Sequence, residues 1–112
     1  FTNGTYGHGE KVTNSLNIPK TKKIFGRDTV PKMKPNIISF NFVNNTITED
    51  YGVNNDIYFF DDLPENLFTA ERLGWKTVWI SPDFINKERF MDYAFPNTYE
   101  ALIFFEKEKK IN

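Results

Sequence analysis

The segment 57–80 limits the possible folds of this chain most strongly, because it has the pattern of strand, loop, helix and strand in succession. Ile57–Phe60 is a short run of aromatic and β-branched residues, which is typical of a buried strand in a parallel sheet. Lys76–Ile80 alternates as a second strand, and Pro82 stops it. Two strands joined through a helix predict an α/β protein with a parallel sheet.

The residues between these strands carry the signals of a helix with both ends marked. Asp62 is placed to cap the N-terminus, Pro64 fits the first turn, and Glu65 stands three residues after Asp62, as in a capping box. Gly74 fits the position after the C-terminus, where glycine is favoured. The predicted apolar face of this helix consists of Leu67, Phe68, Ala70 and Leu73.

Further elements are predicted on both sides of this unit. A short helix carries Val12 and Leu16, and residues 44–55 are expected to be mostly connector. Asn36 is positioned to cap a second helix, although the apolar spacing after it also permits a strand. That segment contains Ile37, Ile38, Phe40 and Val43.

After the 57–80 unit, the pattern of Tyr93–Phe95 predicts a last short strand. Asn97 and Glu100 have capping-box spacing for a final helix through Leu102 and Phe105. Strands and helices that alternate predict a mostly parallel sheet with helices on its faces.

Composition narrows the classes of partner and compartment. The 112 residues make one domain at most, and the net charge of −1 gives no electrostatic case for binding nucleic acid or an anionic membrane. No apolar run approaches the roughly 20 residues that span a bilayer. The absence of cysteine excludes disulfides and thiolate chemistry, and it suits a reducing compartment. We therefore expect a cytoplasmic or other intracellular protein without nucleic-acid or membrane partners.

Two adjacent carboxylates follow the first strand directly. Ligands of open parallel sheets bind at the C-terminal ends of the strands, and Asp61 and Asp62 come immediately after Phe60. Adjacent carboxylates repel each other, and a hard cation such as Mg²⁺ would offset this repulsion. The alternative is a helix cap, which Asp62 could provide without Asp61.

Two other polar features are candidates for binding an anion. Thr2-Asn3-Gly4 offers a hydroxyl and backbone N–H groups, although Asn-Gly is also a common plain turn. Lys34 lies on a loop before a predicted helix, where an ammonium can hold a phosphate or neutralise carboxylates. An ordinary surface role for Lys34 remains open, and Lys32 is a rival candidate. His8 is the only histidine, and the sequence leaves open whether it is a catalytic or ligand residue or an ordinary residue of a loop or helix start.

The order of these three features resembles the haloacid dehalogenase (HAD) superfamily of phosphatases, in particular its pyrimidine 5′-nucleotidase-like members. Phe1–Gly4, followed by His8, is similar to the second family motif. Met33–Pro35, with Phe40 five residues after Pro35, is similar to the third. Phe59–Asn66, with the helix and strand that follow, is similar to the fourth motif.

This resemblance implies a Mg²⁺-dependent phosphatase that hydrolyses a phosphorylated small molecule such as a nucleotide. It implies that Thr2, Asn3 and Gly4 bind the transferring phosphoryl group and that Lys34 balances the charge of nucleophile and phosphate. Thr2 and Lys34 would be the catalytic residues. Asp62 would bind Mg²⁺ directly, with Asp61 and Asn66 in support.

The chain departs from the family in what it lacks. The family's nucleophile stands in an Asp-x-Asp motif on an earlier central strand, and these residues contain no such motif. Residues 1–112 therefore resemble the C-terminal portion of a HAD-like core, a partial Rossmann-like sheet without the first central strand and the cap. Because the chain opens on Phe1 without a methionine, we expect that it starts inside a larger protein. We expect another chain or an N-terminal segment to complete the sheet, and the chain alone to be inactive.

Two other interpretations stay open. The chain could be a catalytically inactive HAD-derived module with a structural or interaction role in a larger assembly. It could also be a receiver-like or other flavodoxin-like domain with an acidic Mg²⁺ pocket. Such domains place the acidic pair after their first strand, whereas the pair stands here beyond the middle of the chain.

Overall fold

The computed structural model describes Phe1, residues 29–52 and residues 56–111, with the backbone alone for residues 109–111. The chain divides into two compact units, Phe1–Asn55 and Asp56–Asn112. The helix predicted around Val12 and Leu16 lies outside the described residues.

The first unit contains one described helix, α1, which spans Ile37–Tyr51. The Asn36 side chain caps it by accepting a hydrogen bond from the Ile38 N–H at 2.9 Å, so the helical alternative for this segment is confirmed. The prediction that residues 44–55 are mostly connector is wrong, because α1 continues to Tyr51. Once a helix has nucleated, each further residue adds one hydrogen bond, so a polar run can prolong it. The helix ends at Gly52, whose φ of 89° favours glycine.

The segment before α1 is tied to the first turns of the helix. Ser39 is buried; its hydroxyl donates to the Lys32 carbonyl and accepts from the Lys32 N–H at 2.9 Å. Phe40 is fully buried, and the ring of Phe1 meets its ring edge-on at a centroid distance of 5.2 Å. These contacts give the first unit a small core of its own around one face of α1.

The second unit alternates strands and helices along the chain. Its elements are β1 (Tyr58–Asp61), α2 (Pro64–Arg72), β2 (Lys76–Ile80), a 3₁₀ turn (Phe84–Asn86), β3 (Tyr93–Phe95) and α3 (Thr98–Ile111). The three strands form one parallel sheet in the order β1-β2-β3. The prediction of an α/β protein with a parallel sheet and flanking helices is confirmed.

The two helices of this unit cover opposite faces of the sheet. Side chains alternate along a strand, so Tyr58 and Phe60 of β1 share one face and Asp61 points to the other. The rings of Tyr58 and Phe60 contact Phe105 of α3 at 5.3 and 5.7 Å. Asp61 bonds to Asn66 of α2. Asp61 and Asn66 thus meet where β1 ends and α2 begins.

Helix α2 packs through residues near its middle. Leu67 and Ala70 are fully buried, as predicted, whereas Phe68 remains 49% exposed and meets the ring of Phe90 edge-on at a centroid distance of 5.4 Å. Gly74 follows the helix with a φ of 81°, and its N–H donates to the Glu71 carbonyl at 2.9 Å. The predicted glycine stop is confirmed.

Helix α3 begins where the sequence predicts it. The Asn97 side chain accepts from the Glu100 N–H at 2.9 Å, as a capping residue does. Aromatic rings fill the space between α3 and the sheet. They come from Tyr58, Phe60, Tyr93, Phe95, Phe104 and Phe105. In the ranges that the structure describes, no helix has the length and apolar character needed to cross a membrane.

Candidate functional site

Asp61 is the last residue of β1, and its carboxylate is held at the start of α2. The side chain is 9% exposed. One carboxylate oxygen accepts from the Leu63 N–H at 3.0 Å, and the other accepts from the Asn66 side-chain amide at 3.2 Å. A negative charge at this position is also favoured by the dipole of α2. We call Asp61, Asp62 and Leu63 the acidic turn.

The predicted cap at Asp62 is wrong. The residue that precedes α2 is Leu63, without a side-chain cap of its own, and the local acceptor is Asp61. The cause is one residue of register: β1 runs through Asp61, whose side chain therefore faces α2 and reaches the N–H two residues on, as in an Asx turn. Pro64 carried the signal, because a proline at the first helical position places the cap at the residue before it.

Asp62 is exposed at the carboxyl end of β1, and its backbone is fixed from the neighbouring strand. The indole N–H of Trp79 donates to the Asp62 carbonyl at 3.0 Å. Trp79 is 7% exposed and lies opposite Asp61 in the register of β1 and β2. The turn therefore presents one carboxylate inward, toward α2, and the next at the surface.

Asn66 adds an amide oxygen to the same neighbourhood. The residue is 2% exposed, and its Nδ2 is committed to Asp61. Its Oδ1 is buried and accepts no hydrogen bond from any described residue. A buried acceptor without a donor costs about 1–3 kcal/mol unless a water or an ion satisfies it.

The side-chain oxygens of Asp61, Asp62 and Asn66 suit Mg²⁺ better than a softer metal. Two carboxylates and one amide supply oxygen only, and each carboxylate oxygen keeps a lone pair when it accepts one hydrogen bond. Among the described residues, no group of three or more His, Cys, Asp or Glu side chains is placed to hold a metal ion. Mg²⁺ is commonly bound through one or two carboxylates and retains several waters, so a small set of protein ligands fits it.

Polar groups that sequence reasoning did not single out lie at the end of the next strand. Ser81 and Asp83 follow β2, at the same edge of the sheet as the acidic turn because β1 and β2 are parallel. The Ser81 hydroxyl accepts from the Asp83 N–H at 3.1 Å, and the Asp83 carboxylate accepts from the Asn86 amide at 2.6 Å. Ser-Pro-Asp directly after a predicted strand was the available signal. These bonds fix the conformation of the loop that follows β2.

Lys34 lies in the first unit and is directed at the first residue of the chain. Its ammonium donates to the Phe1 carbonyl at 3.1 Å and stands 5.1 Å from the centre of the Phe1 ring. That carbonyl belongs to the peptide bond that leads to Thr2. Lys32, the rival candidate, is exposed and is tied by its backbone to Ser39. The other candidates, Thr2, Asn3, Gly4 and His8, lie outside the described residues.

The described candidates thus fall into two places. Asp61 bonds to Asn66 at the end of β1, where the exposed Asp62 is the next residue, and Lys34 donates to the Phe1 carbonyl. Comparisons of the chain with protein-family models, curated proteins and solved structures found no match. An α/β sheet hosts many unrelated activities, so the fold alone assigns none.

Proposed function

We propose that the chain is the C-terminal portion of a HAD-like, Mg²⁺-dependent phosphatase that hydrolyses phosphomonoesters such as nucleotides. The observation that carries this proposal is the acidic turn with Asn66. One carboxylate ends a parallel strand and the next one follows it, and the amide bonded to Asp61 has a buried oxygen that accepts no bond from a described residue. Oxygen ligands at a strand's carboxyl end are what a phosphate-bound Mg²⁺ requires.

Within this proposal the two aspartates have different tasks. Asp62 is exposed and binds the ion directly. Asp61 is occupied by two donors at 3.0 and 3.2 Å, so it supports the site by holding the turn and by adding negative charge. Asn66 orients Asp61 and offers its Oδ1. When bound, Mg²⁺ neutralises charge on the phosphate oxygens.

Lys34 supplies the positive charge that the reaction needs on the protein side. Its contact with the Phe1 carbonyl at 3.1 Å supports a place beside the peptide that leads to Thr2. In the proposed site the Thr2 hydroxyl, with Asn3 and Gly4, binds the phosphoryl group. Lys34 stabilises the charge that phosphate and nucleophile share.

The attacking carboxylate must come from outside these residues. The family's chemistry forms an aspartyl-phosphate, and the sequence contains no Asp-x-Asp motif to provide it. Among the described residues β1 pairs with β2 alone, so its other edge offers backbone groups for a further strand. We infer that the strand with the nucleophile comes from another chain or an N-terminal segment, which completes a HAD-type core.

The test is a phosphatase assay on the whole gene product. Asp62→Asn keeps the shape of the side chain and removes the charge, and we expect kcat/KM for nucleoside monophosphates with Mg²⁺ to fall at least about tenfold. Asp56→Asn is the matched control, because Asp56 is exposed just before the opposite end of β1. Equal activity of the Asp62→Asn variant and the parent would remove the metal role of Asp62.

A second candidate function follows from the missing nucleophile. Without an Asp-x-Asp motif anywhere in the gene, the chain would be an inactive HAD-derived module of a larger assembly. The assay separates the two: the module predicts no Mg²⁺-dependent hydrolysis by the whole product. It also predicts that a stable partner chain co-purifies with it.

A further inference from the structure

We propose that Trp79 is a positioning residue for the cation site, and that its indole N–H fixes the direction in which the Asp62 carboxylate is presented. This inference rests on the proposed function, since it concerns the Mg²⁺ that the acidic turn would bind. It gives Trp79 a task beyond packing.

The two bonds that hold the acidic turn act on one peptide group. The Asp62 carbonyl and the Leu63 N–H belong to the same peptide unit, which is planar. Its N–H donates to the Asp61 carboxylate at 3.0 Å, and its carbonyl accepts from the Trp79 indole at 3.0 Å. A planar group that is held at both ends cannot rotate about its long axis without breaking one of these bonds.

These two hydrogen bonds hold the backbone just beyond the last residue of β1 that pairs with β2. Asp61 is the last residue of β1 that pairs with β2, so the ladder no longer fixes the peptide after Asp62. The orientation of that peptide sets the backbone of Asp62 and therefore the direction of its side chain. A carboxylate that is already directed outward loses less freedom when a cation binds, and the affinity rises accordingly.

The burial of Trp79 makes its donor dependable. The ring is 7% exposed, and an indole has one N–H donor and no acceptor, so a buried indole needs an acceptor such as this carbonyl. Phenylalanine in its place would keep most of the apolar ring and remove the donor. The peptide after Asp62 would then lose one of these two bonds.

The experiment is calorimetric titration of the whole gene product with Mg²⁺, in the parent and in two variants. For Trp79→Phe we expect a dissociation constant raised about fivefold, which corresponds to about 1 kcal/mol for one hydrogen bond. Trp75→Phe is the matched control: Trp75 is 5% exposed, packs on Phe59 at 5.7 Å and stands at the other end of β2. Its removal should leave the affinity within about twofold of the parent.

Two further readouts separate positioning from mere stability. Urea unfolding without Mg²⁺ should register both tryptophan replacements, whereas only Trp79→Phe should change the affinity. In the parent, the NMR signal of the Trp79 indole N–H should shift on addition of Mg²⁺, and that of Trp75 should not. This measurement decides the matter even where Trp79→Phe does not fold.

The outcomes are distinct. If the parent binds no Mg²⁺ at millimolar concentrations, the proposed function falls and the role of Trp79 falls with it. If the parent binds and Trp79→Phe binds equally well, only the positioning role is overturned. A Trp79 indole signal that stays in place while the Asp62 amide signal shifts would overturn it too.

Discussion

Asp61 and Asp62 are neighbours in sequence and opposites in environment. Asp61 is 9% exposed and accepts bonds from Leu63 and Asn66, whereas Asp62 is exposed. The difference follows from the alternation of side chains at the end of β1. Removing the Asp61 carboxylate therefore tests local stability, and removing the Asp62 carboxylate tests ion binding.

We expect Asp61→Ala to lower the free energy of unfolding by about 2–3 kcal/mol, because the buried Asn66 amide and the Leu63 N–H lose their acceptor. Asp62→Ala keeps the backbone carbonyl that Trp79 uses, so its cost should be at most about 1 kcal/mol. Urea denaturation without Mg²⁺ measures both. A larger loss for Asp62→Ala would contradict the division of tasks in the acidic turn.

Residue types were easier to predict at this site than their tasks. Adjacent carboxylates after an apolar run identified the strand end, and the resemblance pointed to Asn66. The sequence placed the acceptor at the start of α2 on Asp62, whereas the structure has Asp61 there. The difference depends on whether β1 ends at residue 60 or 61, which local propensity does not fix. Trp79 was beyond prediction, because its bond to Asp62 joins residues that only the register of two strands brings together.

Strand β2 is the element on which the second unit depends, because it is the only described strand with a neighbour on each side. Its start is fastened to the segment before β3. The Thr77 hydroxyl donates to the Phe90 carbonyl at 2.6 Å and accepts from the Asp92 N–H at 2.9 Å. The Asp92 carboxylate accepts from the Thr77 N–H at 2.9 Å. These bonds set where β3 begins along β2.

Thr77→Val keeps the shape of the side chain and removes both hydroxyl bonds at a fully buried position. We expect a loss of about 2–3 kcal/mol in the free energy of unfolding, because a carbonyl and an N–H lose their partner. Thr46→Val is the control, since that hydroxyl bonds to the Phe42 carbonyl within α1 at 2.9 Å, and its removal should cost under about 0.5 kcal/mol. Equal losses in the two variants would remove this role of Thr77.

Tyr93, in the aromatic layer under α3, has surroundings that favour its neutral form. Burial raises the pKa of Tyr93 above its ordinary value of 10.0, and ionised Tyr58 and Glu108 raise it further. The folded state thus favours the neutral phenol. Its contribution to stability is complete below pH 10 and is lost as the pH rises through the folded-state pKa.

We expect an absorbance titration at alkaline pH to place the midpoint of Tyr93 above 10.0. Tyr93→Phe should therefore flatten the decline of stability above that pH, and Tyr58→Phe should move the Tyr93 midpoint down by removing one nearby charge. The rings of Tyr58 and Tyr93 lie 6.3 Å apart. A Tyr93 midpoint at or below 10.0 would contradict the stated effect of its surroundings.

The elements themselves were largely predictable, and their lengths less so. Strong signals such as Pro64, Gly74 and Asn97 gave the ends of α2 and the start of α3. The length of α1 was missed because its second half is polar and carries no stop signal before Gly52. The three strands were recognised from short apolar runs, while their neighbour order depends on long-range pairing that no local pattern encodes.

At the scale of the whole molecule, ion binding and folding are linked. A cation that binds only the folded acidic turn stabilises the protein by mass action. At a Mg²⁺ concentration about ten times the dissociation constant, the gain is about 1.4 kcal/mol. This corresponds to a rise of several degrees in Tm for a chain of this size.

We expect thermal unfolding of the chain to show this rise with Mg²⁺ and to lose it in Asp62→Asn. NaCl at matched ionic strength is the control, because screening of the acidic turn alone would act through either salt. An equal rise in both salts, or in both proteins, would show that no specific ion site contributes.

The strand order β1-β2-β3 also repeats the order in which the strands are synthesised. On the ribosome, β2 therefore emerges when its neighbour β1 is already available, and β3 when β2 is. Among the three described strands, none has to be inserted between two others that formed earlier. The sheet can grow in one direction as translation proceeds, and α3 closes over its aromatic face last.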